Sequence, residues 1–405
     1  MAAMGGPAGA GGLTSEERLL RDTAREFAQR EVAPGAAERD EAERFDRSIF
    51  VRMGELGLTA APLPESVGGA GFSYLGWTLA MEELGAADMA TAVTLSVHLL
   101  SQFPVVTFGT PGQHADWLAP MLTGEALGAF CLTEPHAGSD AAALRTRAVR
   151  LGAAGEELAP DAAADAVAAY RLHGTKIWIS NAPEAERYLV FATVDAAKGA
   201  KGITAFLVEK GTPGFGFGAH EKKMGIRACP AAELIFEGAV VPVARRLGAE
   251  GQGYRIALSS LSEGRISIAA ACVGLARSAL EQAAVYLGQR TAFGAPLAEL
   301  QGLRFMLAEM AREVAAARAL THEAARARDR GEPLAEVSSL AKWSASDAAM
   351  QVATDAVQLF GGSGYSREAG IERLMRDAKG AQIYEGTNQI HRLIVADEVL
   401  RRAKG

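Results

Sequence analysis

Apolar positions early in the chain recur every three to four residues, the spacing that gathers them on one face of a helix. Leu20, Ala24 and Phe27 follow it, and Thr14 with Glu17 three residues later makes a capping box ahead of them. The pattern predicts a helix that ends at Pro34. A second helix is predicted over 48–56, closed by Gly57, which adopts a left-handed C-terminal conformation most easily. After the Gly68-Gly69-Ala70-Gly71 turn, two more are predicted over 74–84 and 90–105, and Pro111 opens another where its missing N–H costs nothing.

From about Leu127 the period changes. Residues 170–173, 177–180, 188–193, 203–208 and 232–236 form short β-branched or aromatic runs separated by Gly, Pro and Asn, which predict an antiparallel β domain. The Ala-, Gly- and Asp-rich stretch 152–168 reads as a mobile loop between two of its strands. Beyond Pro242 the helical period returns over 254–286, 297–328, 335–359 and 387–404, the pattern of an up-and-down four-helix bundle. Helices, then strands, then helices argue for a mainly α, α+β chain. We divide it into an N-terminal helical domain (13–128), a middle β domain (129–245) and a C-terminal helical bundle (246–405).

Composition narrows the function. With 41 Lys and Arg against 48 Asp and Glu, the net charge of −7 offers no basic field for a phosphate backbone, so nucleic acid is not an expected partner. Cys131, Cys229 and Cys272 include no CxxC pair, which points away from a disulfide framework or thiolate zinc site and toward a reducing cytoplasm. Residues 1–12 are Gly/Ala-rich, lack signal- or transit-peptide features and read as a loose tail. The longest apolar run, 266–276, falls short of the ~20 residues of a membrane span, so none is expected. His322-Glu323 begins like a zinc-protease helix, but Arg326 stands in place of the second histidine, and no metal site is expected. No GxGxxG after a strand, no GxxxxGK[ST] and no GxSxG is present.

The informative segment is Phe130-Cys-Leu-Thr-Glu-Pro-His-Ala-Gly-Ser-Asp140. A buried strand runs into a turn bent by Pro135 and Gly138, which either simply ends the strand or directs the hydroxyls of Thr133 and Ser139 at a polar ligand. This segment resembles the flavin-binding signature of the acyl-CoA dehydrogenases. Four more stretches resemble that family in its own order: Gly174-Thr-Lys-Ile-Trp-Ile-Ser-Asn181, Arg290-Thr-Ala-Phe-Gly-Ala-Pro-Leu297 with Gln301, Gln358-Leu-Phe-Gly-Gly-Ser-Gly-Tyr365, and Arg376-Asp-Ala with Ile383-Tyr-Glu-Gly-Thr-Asn-Gln-Ile390. The resemblance runs from about Leu13 to Leu400.

It implies FAD as cofactor. Thr133 would bond near the reactive edge of the flavin, with Phe130, Leu132, Gly138 and Ser139 from the same segment. Trp178 and Ser180 would border the ring, with Ile179 between them, although a strand tryptophan is otherwise a core residue. Arg290, on its own a solvated helix-end arginine, would meet the pyrophosphate as a planar, always-charged fork. Phe293, Gln301 and the turn of Gln358, Leu359, Gly361 and Gly362 would hold the rest of the cofactor, with Thr387 and Gln389. Part of this site would be shared with a neighbouring subunit, in a homotetramer built as a dimer of dimers.

Glu385 precedes a helix that Thr387 can cap, and Gly386 permits a sharp turn. On position alone Glu385 complements the helix dipole. The resemblance makes it the base that removes a proton beside the thioester carbonyl, giving a trans-2-enoyl-CoA, with electrons passed to an electron-transfer flavoprotein. Ser139, Ser262, Arg265, Glu385 and Gly386 would contact the acyl-CoA substrate. Ser262 stands where several members carry Asp, and His136 where Gly is frequent. The family's other position for the base is Gly264 here, and Glu263 beside it should point away. Acyl-chain length depends on Leu95, Leu99, Gln102 and Phe103, whose helix rotation the sequence does not define. An oxidase or flavin monooxygenase on the same fold, or a catalytically silent acyl-CoA-binding protein, is the alternative; Glu385 argues against the monooxygenase.

Overall fold

The computed structural model describes residues 12–159 and 162–404; the reading of the first residues as a loose tail lies, for 1–11, outside the described residues. Helix α1 (Ser15–Phe27) opens on the expected capping box, with both Thr14–Glu17 bonds made. The helical path does not end at Pro34. A π turn over Ala28–Val32 and a 3-10 turn over Ala33–Gly35 carry it into α2 (Ala36–Glu41), and Pro34 sits in the first turn of the 3-10 segment, where a missing N–H breaks no bond. Helix α3 (Arg47–Glu55) is capped by Asp46 and followed by the left-handed Gly57. Helices α4 (Tyr74–Ala87) and α5 (Met89–Phe108) meet at Asp88, which caps α5. The short α6 (Pro111–Gln113) and α7 (Ala119–Leu122) complete this helical layer.

The middle sheet contains β1 (Gly128–Cys131), β2 (Arg147–Leu151), β3 (Ala169–Ser180), β4 (Arg187–Thr193), β5 (Ile203–Glu209), β6 (Phe215–His220), β7 (Ala231–Pro242) and β8 (Arg246–Leu247). Their order is β6-β7-β3-β2-β4-β5-β8, with β1 beside β4. Most pairs are antiparallel as expected, but β1 and β2 both run parallel to β4. Two runs expected as separate strands are one: β3 spans twelve residues and pairs along β7 with two register shifts, one of them between Lys176 and Ile179. The stretch 152–168 lies between β2 and β3 and carries a 3-10 turn, Ala164–Ala166.

The last part opens with the long α8 (Gly253–Gln289), then a two-residue-turn hairpin, β9 (Thr291–Ala292) and β10 (Ala295–Pro296). Helices α9 (Gln301–Asp329), α10 (Ala335–Phe360), α11 (Gly362–Tyr365), α12 (Ile371–Ala381) and α13 (Asn388–Ala403) follow. Helix α12 is an addition to the four expected; its buried Ile371, Leu374, Ala378 and Ala381 recur at helical spacing. Helix α10 is central, packed against α8, α9, α12 and α13, while α4 and α5 lie on α8. Helices α5 and α8 are long and apolar enough by composition to cross a membrane, although the longest uninterrupted apolar run, 266–276, is far shorter. Both are mostly buried inside the fold, so their apolar character answers to protein neighbours on several sides.

Candidate active site

Two of the sequence motifs are stitched together in the middle domain. The N–H of Ile177 donates to the Thr133 carbonyl at 3.0 Å. Beneath them, the fully buried Lys176 reaches Glu134 at 2.7 Å and the Leu132 carbonyl at 3.1 Å. Glu134 also accepts from the backbone of Arg145 and Thr146. Burial pushes this carboxyl up, but Lys176 and the backbone donors outweigh it and hold Glu134 below the usual carboxylate range.

On this platform Trp178 departs from strand geometry. Its φ is +57°, it lies in the register shift of β3, and 55% of it is exposed, although neighbouring Ile179 is buried. A bulky residue in a left-handed conformation is strained, and such strain persists where surrounding structure enforces it. The result is an aromatic face open to the outside, with Thr133 and Ser180 half-buried nearby in sequence and pairing. Phe130, Leu132 and Ile179 lie in or against the core instead: Phe130 packs on Phe191 with ring centroids 5.0 Å apart. Gly138 and Ser139 are exposed on the turn.

Glu385 stands in the loop between α12 and α13 with φ +54°, followed by Gly386 at φ +90°. Both carboxylate oxygens are buried and neither has a hydrogen-bond partner among the described residues. A Cβ built on Gly264 would lie 2.6 Å from Glu385 Oε2 and 3.0 Å from Leu100 Cδ1. The glycine of α8 therefore vacates the space that the carboxylate occupies. Burial raises the Glu385 pKa to about 7, while the cations Lys342 and Arg265 pull against that rise. The Glu385 N–H donates to no other backbone group among the described residues. Glu263, one residue along α8, turns to Arg328 at 3.1 Å.

Arg265 is not at an open surface: it is buried near Glu385, and among the described residues it has no hydrogen bond or ion pair. Ser262 bonds back to the Leu258 carbonyl. Of the side chains considered for the acyl pocket, Leu95 and Leu99 are core, and Gln102 donates to the Thr59 carbonyl. Leu100 is brought toward the base, against the same space beside Gly264, and Ser96, whose buried hydroxyl has no partner among the described residues, lies one turn before it. Sequence reasoning also missed Lys342 and His391. Lys342 is fully buried and donates to the Gly386 carbonyl; His391 is buried beside Gly386, and burial lowers its pKa to about 3, with the Gly386 backbone pulling weakly the other way. The one sequence signal for Lys342 is a lone basic residue among the small residues Ser338, Ser339, Ala341, Ala345 and Ser346 of α10; His391 carries none.

The remaining motif residues collect elsewhere. Tyr286 stacks on Phe360 at 4.1 Å and bonds its carbonyl, joining the end of α8 to the end of α10. There Arg290, Gln358, Gly361 and Gly362 are exposed, and Phe293, at the hairpin tip, is 94% exposed with φ +54°. Gly361 has φ +59° and ψ −137°, a region closed to side chains, and nothing lies within 4 Å of where a Cβ would stand. Leu359 is buried in the core, and Gln301 is exposed at the start of α9. Eighteen residues of α10 separate Lys342 from Phe360, about 27 Å at 1.5 Å per residue, so this group lies well along the helix from the turn that holds the base's loop. Thr387 caps α13, and Gln389 is exposed.

A helical–sheet–helical fold sets a buried carboxylate in the loop before the last helix, facing a helix glycine, and likeness to known proteins puts this arrangement among the oxidoreductases. The chain matches the N-terminal domain of the acyl-CoA dehydrogenases over residues 14–125, their middle domain over 129–239 and their C-terminal domain over 251–400. It belongs to the acyl-CoA dehydrogenase family. It is 43% identical over 389 residues to an acyl-CoA dehydrogenase of Bacillus subtilis, covering 96% of this chain and 99% of that one. It is 41% identical to the short-chain specific acyl-CoA dehydrogenase of Clostridium acetobutylicum, again over 96% and 99%. Among solved structures, butyryl-CoA dehydrogenase from Megasphaera elsdenii superposes with a TM-score of 0.91 at 41% identity, covering 96% of this chain and 99% of that one.

Proposed function

We propose that this chain oxidises a short acyl-CoA thioester to its trans-2-enoyl form, with Glu385 as base and FAD as cofactor. The carrying observation is the Glu385 carboxylate: buried, unpartnered, set over Gly264, with a pKa near neutrality. A base of that kind is ionised often enough at neutral pH to take a weakly acidic proton and strong enough to hold it. Glu385 removes the proton from the carbon next to the thioester carbonyl. Its free backbone N–H supplies a donor for the thioester oxygen as negative charge develops there. Leu100 and the apolar wall of α5 exclude water from the carboxylate.

The residues present fit FAD. Trp178 offers an open aromatic face, Thr133 and Ser180 offer hydroxyls beside it, and the exposed glycine turn at Gly361 and Gly362 allows close backbone approach. Held by these residues, FAD would supply a hydride acceptor for the carbon adjacent to the one Glu385 deprotonates. The roughly 27 Å of α10 between Lys342, which holds the Glu385 loop, and Phe360, beside the Arg290–Gln358 group, supports that group serving the cofactor of a neighbouring subunit, hence a homotetramer built as a dimer of dimers. An electron-transfer flavoprotein takes the electrons onward. Short acyl chains are favoured by the relatives' names, and the three unpaired, buried cysteines suit a reducing compartment such as the cytoplasm.

The test is direct. Purified protein should be yellow, and anaerobic butyryl-CoA should bleach the flavin band; an acyl-CoA panel then ranks chain length. Oxygen uptake in place of reduction of an electron acceptor would identify an oxidase. Colourless protein that takes up no added FAD would end this reading.

A further inference from the structure

We propose that Lys342 is a positioning residue for the base: from α10 it holds the Glu385 loop through the Gly386 carbonyl and stands as the buried countercharge of the Glu385 carboxylate. The inference rests on Glu385 being the base.

Lys342 has no solvent exposure. Its ammonium donates to the Gly386 carbonyl at 2.8 Å and to Asn388 Oδ1 at 3.2 Å, and among the described residues no carboxylate comes within ion-pair distance. Asn388 is held from the next turn of α10, its amide donating to Ser346 at 2.9 Å and to Asp347 at 2.7 Å. Three neighbouring side chains of one helix thus grip both sides of Thr387. That grip explains how two consecutive residues, Glu385 and Gly386, remain in left-handed conformations.

The electrostatics point the same way. A buried ammonium is costly unless a negative charge faces it. The charged and titratable groups around the pair are Arg265 and Cys272 on α8, Asp347 on α10, His391 on α13, Tyr74 on α4 and Tyr384 in the loop itself. The histidine and both phenols are held neutral by burial, and burial likewise pushes the Cys272 thiol up. Asp347 is partly exposed and already shared among Trp343, Gln382 and Asn388. Glu385 is the negative charge that remains for Lys342. The ammonium in turn favours the ionised base, so its loss makes Glu385 harder to deprotonate.

Two variants separate the two duties. Lys342→Gln keeps a donor for Gly386 without the charge; Lys342→Met removes both. In the holoenzyme, anaerobic flavin reduction by butyryl-CoA is followed against pH, FAD content and acyl-CoA affinity are measured, and the Glu385 carboxyl is titrated by infrared spectroscopy without turnover. For Lys342→Gln we expect the inflection in rate and in the infrared titration to move up by about one pH unit, roughly tenfold in rate below it, with the high-pH plateau kept. Lys342→Met should also lose the plateau. If Lys342→Met fails to fold, Lys342→Gln alone decides. Variants that bind FAD and substrate but keep the wild-type inflection overturn the inference, as does lost FAD and stability with an unmoved inflection. Glu385→Gln is the control: if it still reduces flavin at the wild-type rate, the assignment of the base fails instead.

Discussion

Lys176 and Lys342 are both fully buried, yet their surroundings differ in kind. Lys176 meets its carboxylate at 2.7 Å, and that carboxylate is completed by two backbone donors. Among the described residues, Lys342 meets only a carbonyl and an amide, and the nearby Glu385 carboxylate has no hydrogen bond. A closed pair fixes shape: it locks the Thr133 turn onto the Trp178 strand. An open pair leaves a carboxylate with unused affinity for a proton, which suits a reaction and not a scaffold.

The largest effect is expected where the open carboxylate is removed. Glu385→Gln should keep the fold and the yellow colour, bind acyl-CoA, and lose flavin reduction by up to about 10⁴-fold, the upper range for a lost general base. In the unaltered enzyme, stopped-flow reduction should rise with pH through an inflection near 7, because the raised carboxyl is protonated below that value and can accept a proton only above it. A flat profile between pH 5 and 9 would contradict the assignment.

Breaking the closed pair should act on stability instead. Lys176→Met strands Glu134 in the interior, which costs about 3–5 kcal/mol when one partner of a buried pair is removed. Thermal unfolding and FAD retention should fall together, while molecules that keep FAD should reduce it with an unmoved pH inflection. Unchanged thermal stability would show that the pair does not hold the platform.

Gly264→Ala tests the space between the two candidate positions for a base. Its Cβ would approach Glu385 Oε2 to 2.6 Å, so the carboxylate must shift. A misplacement of about 1 Å can cost on the order of 10²-fold in rate, whereas alanine favours an α-helix by about 1 kcal/mol. Slower reduction in a protein at least as stable is the expected combination; equal rates would mean the loop has room to yield.

The elements were legible where the signal is local, and misread where it is not. The Thr14–Glu17 box, the left-handed Gly57 and the Pro111 start are each written in a few adjacent residues. Pro34 misled because a π turn and a 3-10 turn absorb it, and β6 was missed because Phe-Gly-Phe-Gly lacks β-branched residues. The parallel pairing of β1 and β2 with β4 depends on partners some 40–60 positions away, which no local pattern encodes. In the site, a motif marks backbone, not side-chain direction: Leu132 and Ile179 sit in motifs and face the core, while Thr133 and Trp178 beside them do not. Lys342 and Leu100 carry no motif at all, since their meaning comes from a loop and a glycine far along the chain.

The smallest effect is expected at Glu263, and it sharpens the comparison because this acid is one residue from Gly264. One step along a helix turns a side chain by about 100°, and Glu263 accordingly leaves the base and meets Arg328 at 3.1 Å, with the Arg328 guanidinium 5.1 Å from the Tyr74 ring centroid. Burial raises its pKa and Arg328 restrains that rise. Both partners keep some solvent contact, so the pair is worth about 0.2–1 kcal/mol. Glu263→Gln should therefore change stability by no more than that small amount and leave the rate of flavin reduction and its pH inflection where they were. The glutamine keeps an oxygen for Arg328, and the Tyr74 hydroxyl bonds the Glu263 backbone carbonyl, which the substitution does not touch. Stopped-flow reduction that collapsed in Glu263→Gln and survived in Glu385→Gln would reverse the two roles and move the base from the loop to α8.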